Sequence, residues 1–217
     1  MPEIAIIMGS KSDLLSLKGA FDTLNSFNVE FTARVMSAHR TPDAAADFAK
    51  NAEANGVKVI ICAAGMAAHL AGVIAAHTTL PVIGIPMACE PFNGFDALLA
   101  MVQMPPGIPV ATVTAGKAGA KNAALLAISM LALSNPELAA KLKAFRAEQS
   151  RKVEEADAAI QAELAKLTSL IEYETLLRFP RTQSAPFSLR RGGCKRTGEN
   201  GKISVPTGVS AGVQHAL

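Results

Sequence analysis

The sequence predicts a three-layer α/β/α sandwich built on a five-stranded parallel sheet. Three observations lead there. Short apolar strand patterns alternate with helical ones from the first residues onward. The clearest strands are continuous apolar runs, as in sheets covered on both faces. Half of the 217 residues are hydrophobic, yet Trp is absent and Tyr occurs once, so the core is made of small aliphatic side chains suited to close helix-on-sheet packing. A body of this size buries about 70% of the surface its unfolded chain exposes and needs no staple.

Ile4 to Met8 is the first strand, ended by Gly9-Ser10-Lys11-Ser12-Asp13. Leu14, Leu17, Phe21 and Leu24 then recur at helical spacing. Val29, Phe31, Ala33 and Val35 alternate as a second strand. Thr41-Pro42-Asp43 opens a second helix, with Thr41 as cap and Pro42 at the first helical position, and this helix stops near Asn55-Gly56. A third strand over 57–63 leads through Gly65 to an Ala-rich helix around 67–77, which His77 closes as a C-terminal cap. The fourth strand is 81–85, and 95–103 is helical. The fifth strand, 110–114, precedes Gly116-Lys117-Ala118-Gly119 and an apolar helix over 122–133.

Asn135-Pro136-Glu137 starts a last, polar helix that runs to about Leu167. After Thr168 the period fails. Residues 169–217 read as an irregular basic tail, disordered or extraneous, and 1–168 as the whole α/β domain. The element order suits right-handed crossovers and a flavodoxin-like sandwich.

Charge divides along the same line. Residues 1–172 hold 14 Lys/Arg against 16 Asp/Glu, and residues 173–217 hold 7 against 2, so the net +3 belongs to the tail. No nucleic-acid surface follows from it. Cys62, Cys89 and Cys194 are odd in number and show no C-x-x-C spacing, which argues against a disulfide framework and a zinc site and favours a reducing, cytoplasmic setting. The start has no basic leader, and no apolar run reaches roughly 18 residues without a Pro, Gly or His break, so neither signal peptide nor membrane span is expected.

The turns at Gly9, Ser37 and Gly65 all follow strands, which puts them on the carboxyl edge of the sheet where such folds bind ligands. Gly9, Ser10, Ser12 and Asp13 form an anion-friendly corner of free N–H groups and hydroxyls, or else a plain βα turn with a Ser/Asp cap. The corner is neither a dinucleotide fingerprint nor a Walker loop, and Gly116-Lys117 also fails as one because Ala118 replaces the magnesium-holding hydroxyl. Ser37-Ala38-His39-Arg40 is the richest stretch. Arg40 offers a planar fork for phosphate or carboxylate. Histidine takes and returns protons near neutrality, which makes His39 the candidate acid/base, or else the pair is a loop histidine beside a surface arginine. Gly65-Met66-Ala67-Ala68-His69-Leu70 is small around His69, so a flat ligand can approach the backbone. By itself His69 reads as a helix-start histidine bonded to a carbonyl. Cys62 belongs to a strand core, and Cys89 follows a strand end near the same edge. No metal constellation emerges.

Read together, six stretches resemble one family: 9–13, 37–43, 67–70, 80–84, 103–112 and 118–127. It is the N5-carboxyaminoimidazole ribonucleotide mutases, also called the catalytic subunits of phosphoribosylaminoimidazole carboxylase, of de novo purine synthesis. The resemblance runs in register over about residues 3–165. It implies movement of a carboxylate from the exocyclic nitrogen of an imidazole ribonucleotide to its ring carbon, by release and recapture of carbon dioxide, without ATP, metal or organic cofactor. It implies His39 as the proton carrier, and Ser10, Ser12 and Arg40 on the phosphate. Asp13 would bind ribose hydroxyls, with Ser37 and Ala38 lining the site and Gly65, His69 and Leu70 lining the base and carboxylate pocket. It also implies a homo-octamer with sites shared between subunits, and the last helix packed on a neighbour. Met66 and Ala71 depart from the Gly and Pro that many members carry. A related class that fixes free carbon dioxide directly carries Lys where this chain has Arg40, which favours the mutase. A non-catalytic nucleotide-binding module is the alternative from another class.

Overall fold

Continuous apolar runs and parallel pairing place five strands in one sheet, and the computed structural model describes residues 2–178 of the chain. The strands are β1 (Ile4–Met8), β2 (Phe31–Val35), β3 (Val59–Gly65), β4 (Val82–Met87) and β5 (Ala111–Thr112). All pairs are parallel, in the order β2-β1-β3-β4-β5. The chain leaves β1 toward β2 on one side, then crosses to β3 on the other. Such a reversal opens a crevice at the carboxyl ends of β1 and β3.

Side chains on a strand alternate between faces, and here the alternation sorts the core. Ile4, Ile6 and Met8 of β1, Val59, Ile61 and Ala63 of β3, and Ile83, Ile85 and Met87 of β4 share one cluster. The helices on that face are α1 (Leu14–Ser26), through Leu17, Ala20 and Leu24, and α5 (Gly116–Leu131), through Ala120, Ala123, Ala124, Ala127 and Ile128. Ala5, Ile7, Ile60, Cys62 and Val82 point the other way. There they meet α2 (Pro42–Asn51), α3 (Leu70–Ala76) and α4 (Phe95–Val102) through Ala45, Ala49, Leu70, Ile74, Ala97 and Met101. Each buried Ile or Leu stabilises the fold by about 1.5–3 kcal/mol.

Several elements differ from the sequence expectation. β2 begins at Phe31, and its Ala33 and Val35 are exposed, because it is an edge strand. β3 runs to Gly65, and β5 is only two residues long. α3 starts at Leu70, with His69 and His77 as its flanking residues. α5 begins at Gly116, so Gly116-Lys117-Ala118-Gly119 is helix rather than loop. Within it Gly119 is required, since a Cβ there would lie 1.7 Å from the Thr114 carbonyl oxygen.

A last helix, α6 (Pro136–Arg178), carries Asn135 at its start, whose side-chain oxygen accepts the Leu138 N–H at 3.0 Å. The helix continues past the expected end near Leu167, since 168–178 holds neither Pro nor Gly to stop it. The rest of the expected tail, residues 179–217, lies outside the described residues. Contacts divide the chain into two units, Met1–Ile160 and Gln161–Leu217, and the sandwich belongs to the first. In the second, residues 161–178 are helical. Among the described residues, no helix is long and apolar enough to cross a membrane.

Candidate active site

Three βα turns converge where the strand order reverses. The first follows β1. Its Gly9 N–H donates to the Ala63 carbonyl at 3.0 Å, tying the turn to β3. Ser10 is extended and caps a short 3₁₀ turn, Lys11–Asp13, as half of a capping box. Its hydroxyl oxygen accepts the Ser12 N–H at 3.3 Å and lies 2.9 Å from the Ser12 hydroxyl. The Ser10 N–H donates to an Asp13 carboxylate oxygen at 3.1 Å. Burial pushes the Asp13 carboxyl above its ordinary range, and the Ser10 N–H partly offsets this.

The second turn follows β2. The Thr41 N–H and hydroxyl both donate to the Ser37 carbonyl, at 2.9 and 3.1 Å, and the Thr41 oxygen accepts the Ser37 N–H at 2.9 Å. Thr41 therefore closes this loop instead of capping α2 with its side chain, as its sequence position suggests. The Ser37 hydroxyl in turn accepts the Arg40 N–H at 3.2 Å. The Arg40 guanidinium reaches the first turn and donates to the Gly9 carbonyl at 3.2 Å.

The third turn follows β3. Gly65 is sterically required there: a Cβ would stand 2.7 Å from the Cys89 sulfur and 3.1 Å from the Met87 carbonyl oxygen. Met66 comes next, in the left-handed region at φ +55°. The turn delivers His69 to the second turn, with its Nδ1 2.9 Å from Nε2 of His39 and the rings tilted edge to face. His69 thus faces a second imidazole and not the carbonyl that its isolated position suggests.

These turns line an open cavity of about 550 Å³. Gly9, Ser10, Ser12, Asp13, Ser37, Ala38, His39, Arg40, Gly65, His69 and Leu70 all line it, so every candidate residue named from the sequence comes together here. Cys89 lines it too, along with Ala64, Met66 and Ala67. The two alanines carry no chemical signal, and only their place beside Gly65 and His69 points to them. Cys62 is fully buried in the sheet, and that burial pushes its thiol up, out of reach of any reactive role. A larger groove, about 900 Å³, opens at the amino ends of β4 and β5 beside His77. It gathers little beyond Lys50, Glu53, His77 and two threonines, so size alone is a poor guide to the chemistry.

The cavity is polar and donor-rich at the Ser10–Arg40 end, and small and apolar around the paired histidines. Such an arrangement can hold an anion at one end of a ligand and exchange protons at the other. A profile of the family described as AIR carboxylase matches residues 3–152. The chain belongs to the AIR carboxylase family. It is 53% identical over 151 residues to the N5-carboxyaminoimidazole ribonucleotide mutase of Pyrococcus abyssi, covering 70% of this chain and 86% of that protein. The mutase of Brucella melitensis is also 53% identical, over 153 residues, covering 70% of this chain and 94% of its own length. The crystal structure of Treponema denticola PurE superposes with a TM-score of 0.66 at 31% identity, covering 73% of this chain and 98% of that one. Within this family the fold is flavodoxin-like, and the matched segment carries all three turns.

Proposed function

We infer that the chain converts N5-carboxyaminoimidazole ribonucleotide to 4-carboxy-5-aminoimidazole ribonucleotide in de novo purine synthesis. The observation that carries this reading is the meeting of His39 and His69 over a cavity whose other end is built from Ser10, Ser12 and Arg40. Membership in the family and the mutase relatives support it.

Substrate and product are isomers, so the reaction needs no net oxidant, reductant or phosphoryl donor. The C–N bond to the carboxylate breaks, its electron pair stays on nitrogen, and protonated His39 supplies the proton. Carbon dioxide is held while the ring carbon attacks it, forming the new C–C bond. Neutral His39 then removes the proton from that ring carbon and is restored. One acid/base group serves both steps. Ser10, Ser12 and Arg40 hold the phosphate, Asp13 the ribose hydroxyls, and Ser37, Ala38, Gly65, His69 and Leu70 the base and its carboxylate. A reaction that must not lose carbon dioxide calls for a site that closes over the bound substrate and sheds water. The reading places the chemistry within residues 1–168 of a cytoplasmic homo-octamer and assigns no step to the residues beyond.

Two assays decide between donors. The N-carboxy compound alone is expected to turn over without bicarbonate. Turnover of aminoimidazole ribonucleotide with bicarbonate, but not of the N-carboxy compound, identifies a direct carboxylase instead. Binding without turnover of either identifies a non-catalytic module.

A further inference from the structure

We propose that Met66 is a substrate-facing cover of the reacting end of this cavity, which keeps water out and freed carbon dioxide in. The proposal rests on the mutase reading above.

Met66 lies between Gly65 and the Ala67-Ala68-His69 run, at the end of β3. Its φ of +55° is a conformation that glycine adopts without cost and that residues with a Cβ occupy only under strain. A residue with a Cβ therefore stands here at a local energetic disadvantage. Among the described residues of the single chain no packing repays it: the side chain is 60% exposed and does not belong to either core cluster. It does line the cavity, with His39, His69 and Cys89. Strain kept without a packing return, at the wall of a cavity, points to a role toward the ligand.

The end of the cavity that Met66 serves follows from its turn. Gly9–Asp13 and Arg40 form the anion end, whereas Met66 shares its turn with His69, the partner of His39. An unbranched thioether is apolar and adaptable, so it can fold over a flat base and shed water as it does so. The step at risk is the interval after the C–N bond breaks. If carbon dioxide escapes, the nitrogen keeps its added proton, aminoimidazole ribonucleotide leaves, and the gas hydrates to bicarbonate. If it is retained, the C–C bond forms. A cover changes the ratio of these outcomes more than it changes substrate affinity.

The test uses the full chain and the variants Met66→Leu, Met66→Ala and Met66→Gly. The first keeps apolar bulk, the second keeps the strained backbone without the bulk, and the third relieves both. Carboxy product and released aminoimidazole ribonucleotide are quantified from the N-carboxy substrate. In parallel, peptide-mapped oxidation of Met66 by peroxide is followed with and without 4-carboxy-5-aminoimidazole ribonucleotide. Met66→Leu is expected to partition like the native chain. Met66→Ala and Met66→Gly should each raise the released fraction about tenfold, the loss of one buried methionine's worth of contact. Met66→Gly should do so while melting no lower than the native chain, which separates the effect from unfolding. Bound ribonucleotide should slow Met66 oxidation. Unchanged partition in both small variants, or oxidation indifferent to ligand, overturns the proposal. A native chain that leaves the N-carboxy compound unconverted overturns the mutase reading itself, and the oxidation arm then still decides whether Met66 meets the ribonucleotide.

Discussion

Nε2 of His39 and Nδ1 of His69 share a hydrogen bond of 2.9 Å that joins turns 30 residues apart in sequence. Two imidazole nitrogens can bond only with one proton between them, so while the bond stands the pair carries no more than one positive charge. On the proposed mechanism, a proton accepted at His39 therefore alters the hydrogen bonding of both rings.

His39→Asn should bind the product ribonucleotide with little change, by calorimetry, and lose about 10²- to 10⁴-fold in kcat. His69→Asn should lose less than His69→Ala, because the amide oxygen stands near the place of Nδ1 and can accept from His39. Substantial carboxyl transfer by His39→Asn removes His39 from the mechanism.

Arg40 bridges the first two turns, and its guanidinium has donors to spare beyond the Gly9 carbonyl. Arg40→Lys replaces a planar fork by a single ammonium, which cannot hold both the turn and a phosphate in the same geometry. KM should rise about tenfold, with a smaller change in kcat, and inorganic phosphate should inhibit the variant more weakly. An unchanged KM places the phosphate elsewhere.

Asp13 gives a pH signature. Its carboxyl is raised above the ordinary value by burial, so the folded chain holds this proton more tightly than the unfolded one. Above the folded pKa the ionised side chain lowers stability, and that penalty fades as pH falls through the folded pKa toward the ordinary carboxylate value. Asp13→Asn should then melt at or above the native temperature at pH 7, with the gap narrowing in acid, while ribonucleotide affinity falls. Calorimetric melting of both proteins from pH 7 to pH 3 checks the sign. A gap that widens in acid contradicts it.

Gly65→Ala forces a Cβ against the Cys89 sulfur and the Met87 carbonyl oxygen. The cost should be about 1–3 kcal/mol, read from urea midpoints. Adding Cys89→Ala removes one of the two clashes, so the double variant should recover part of the loss and show coupling in a double-mutant cycle. Additive effects would mean that the turn relaxes away from Cys89.

The alternation of strands and helices was legible from the sequence because each element has a local cause. So were the Gly9–Asp13 corner and the His39-Arg40 pair, by their residue types after a strand. Ala38, His69 and Leu70 were named as site residues only through the family resemblance. Ile4–Met8 is apolar on both faces, Pro42 starts a helix, and a Ser-Ala-His-Arg run after a strand has few structural uses. The remainder depends on neighbours far along the chain. Nothing near Val35 says that β2 is an edge, nor near Gly119 that a carbonyl crowds it. The turning of Thr41 toward Ser37, and of His69 toward His39, arises from competition between alternative hydrogen-bond partners, which only the folded chain resolves. The strand order itself has no local signature.

Among the described residues, all that line the cavity fall between Gly9 and Cys89. The helix that packs across α1, by contrast, is α5, drawn from Gly116–Leu131. A ribosome therefore delivers all these lining residues before it delivers the helix that packs with Leu17 and Leu24. Through that interval of synthesis the apolar face that α5 will cover is bare, and it is the surface that chaperones and neighbouring chains meet first.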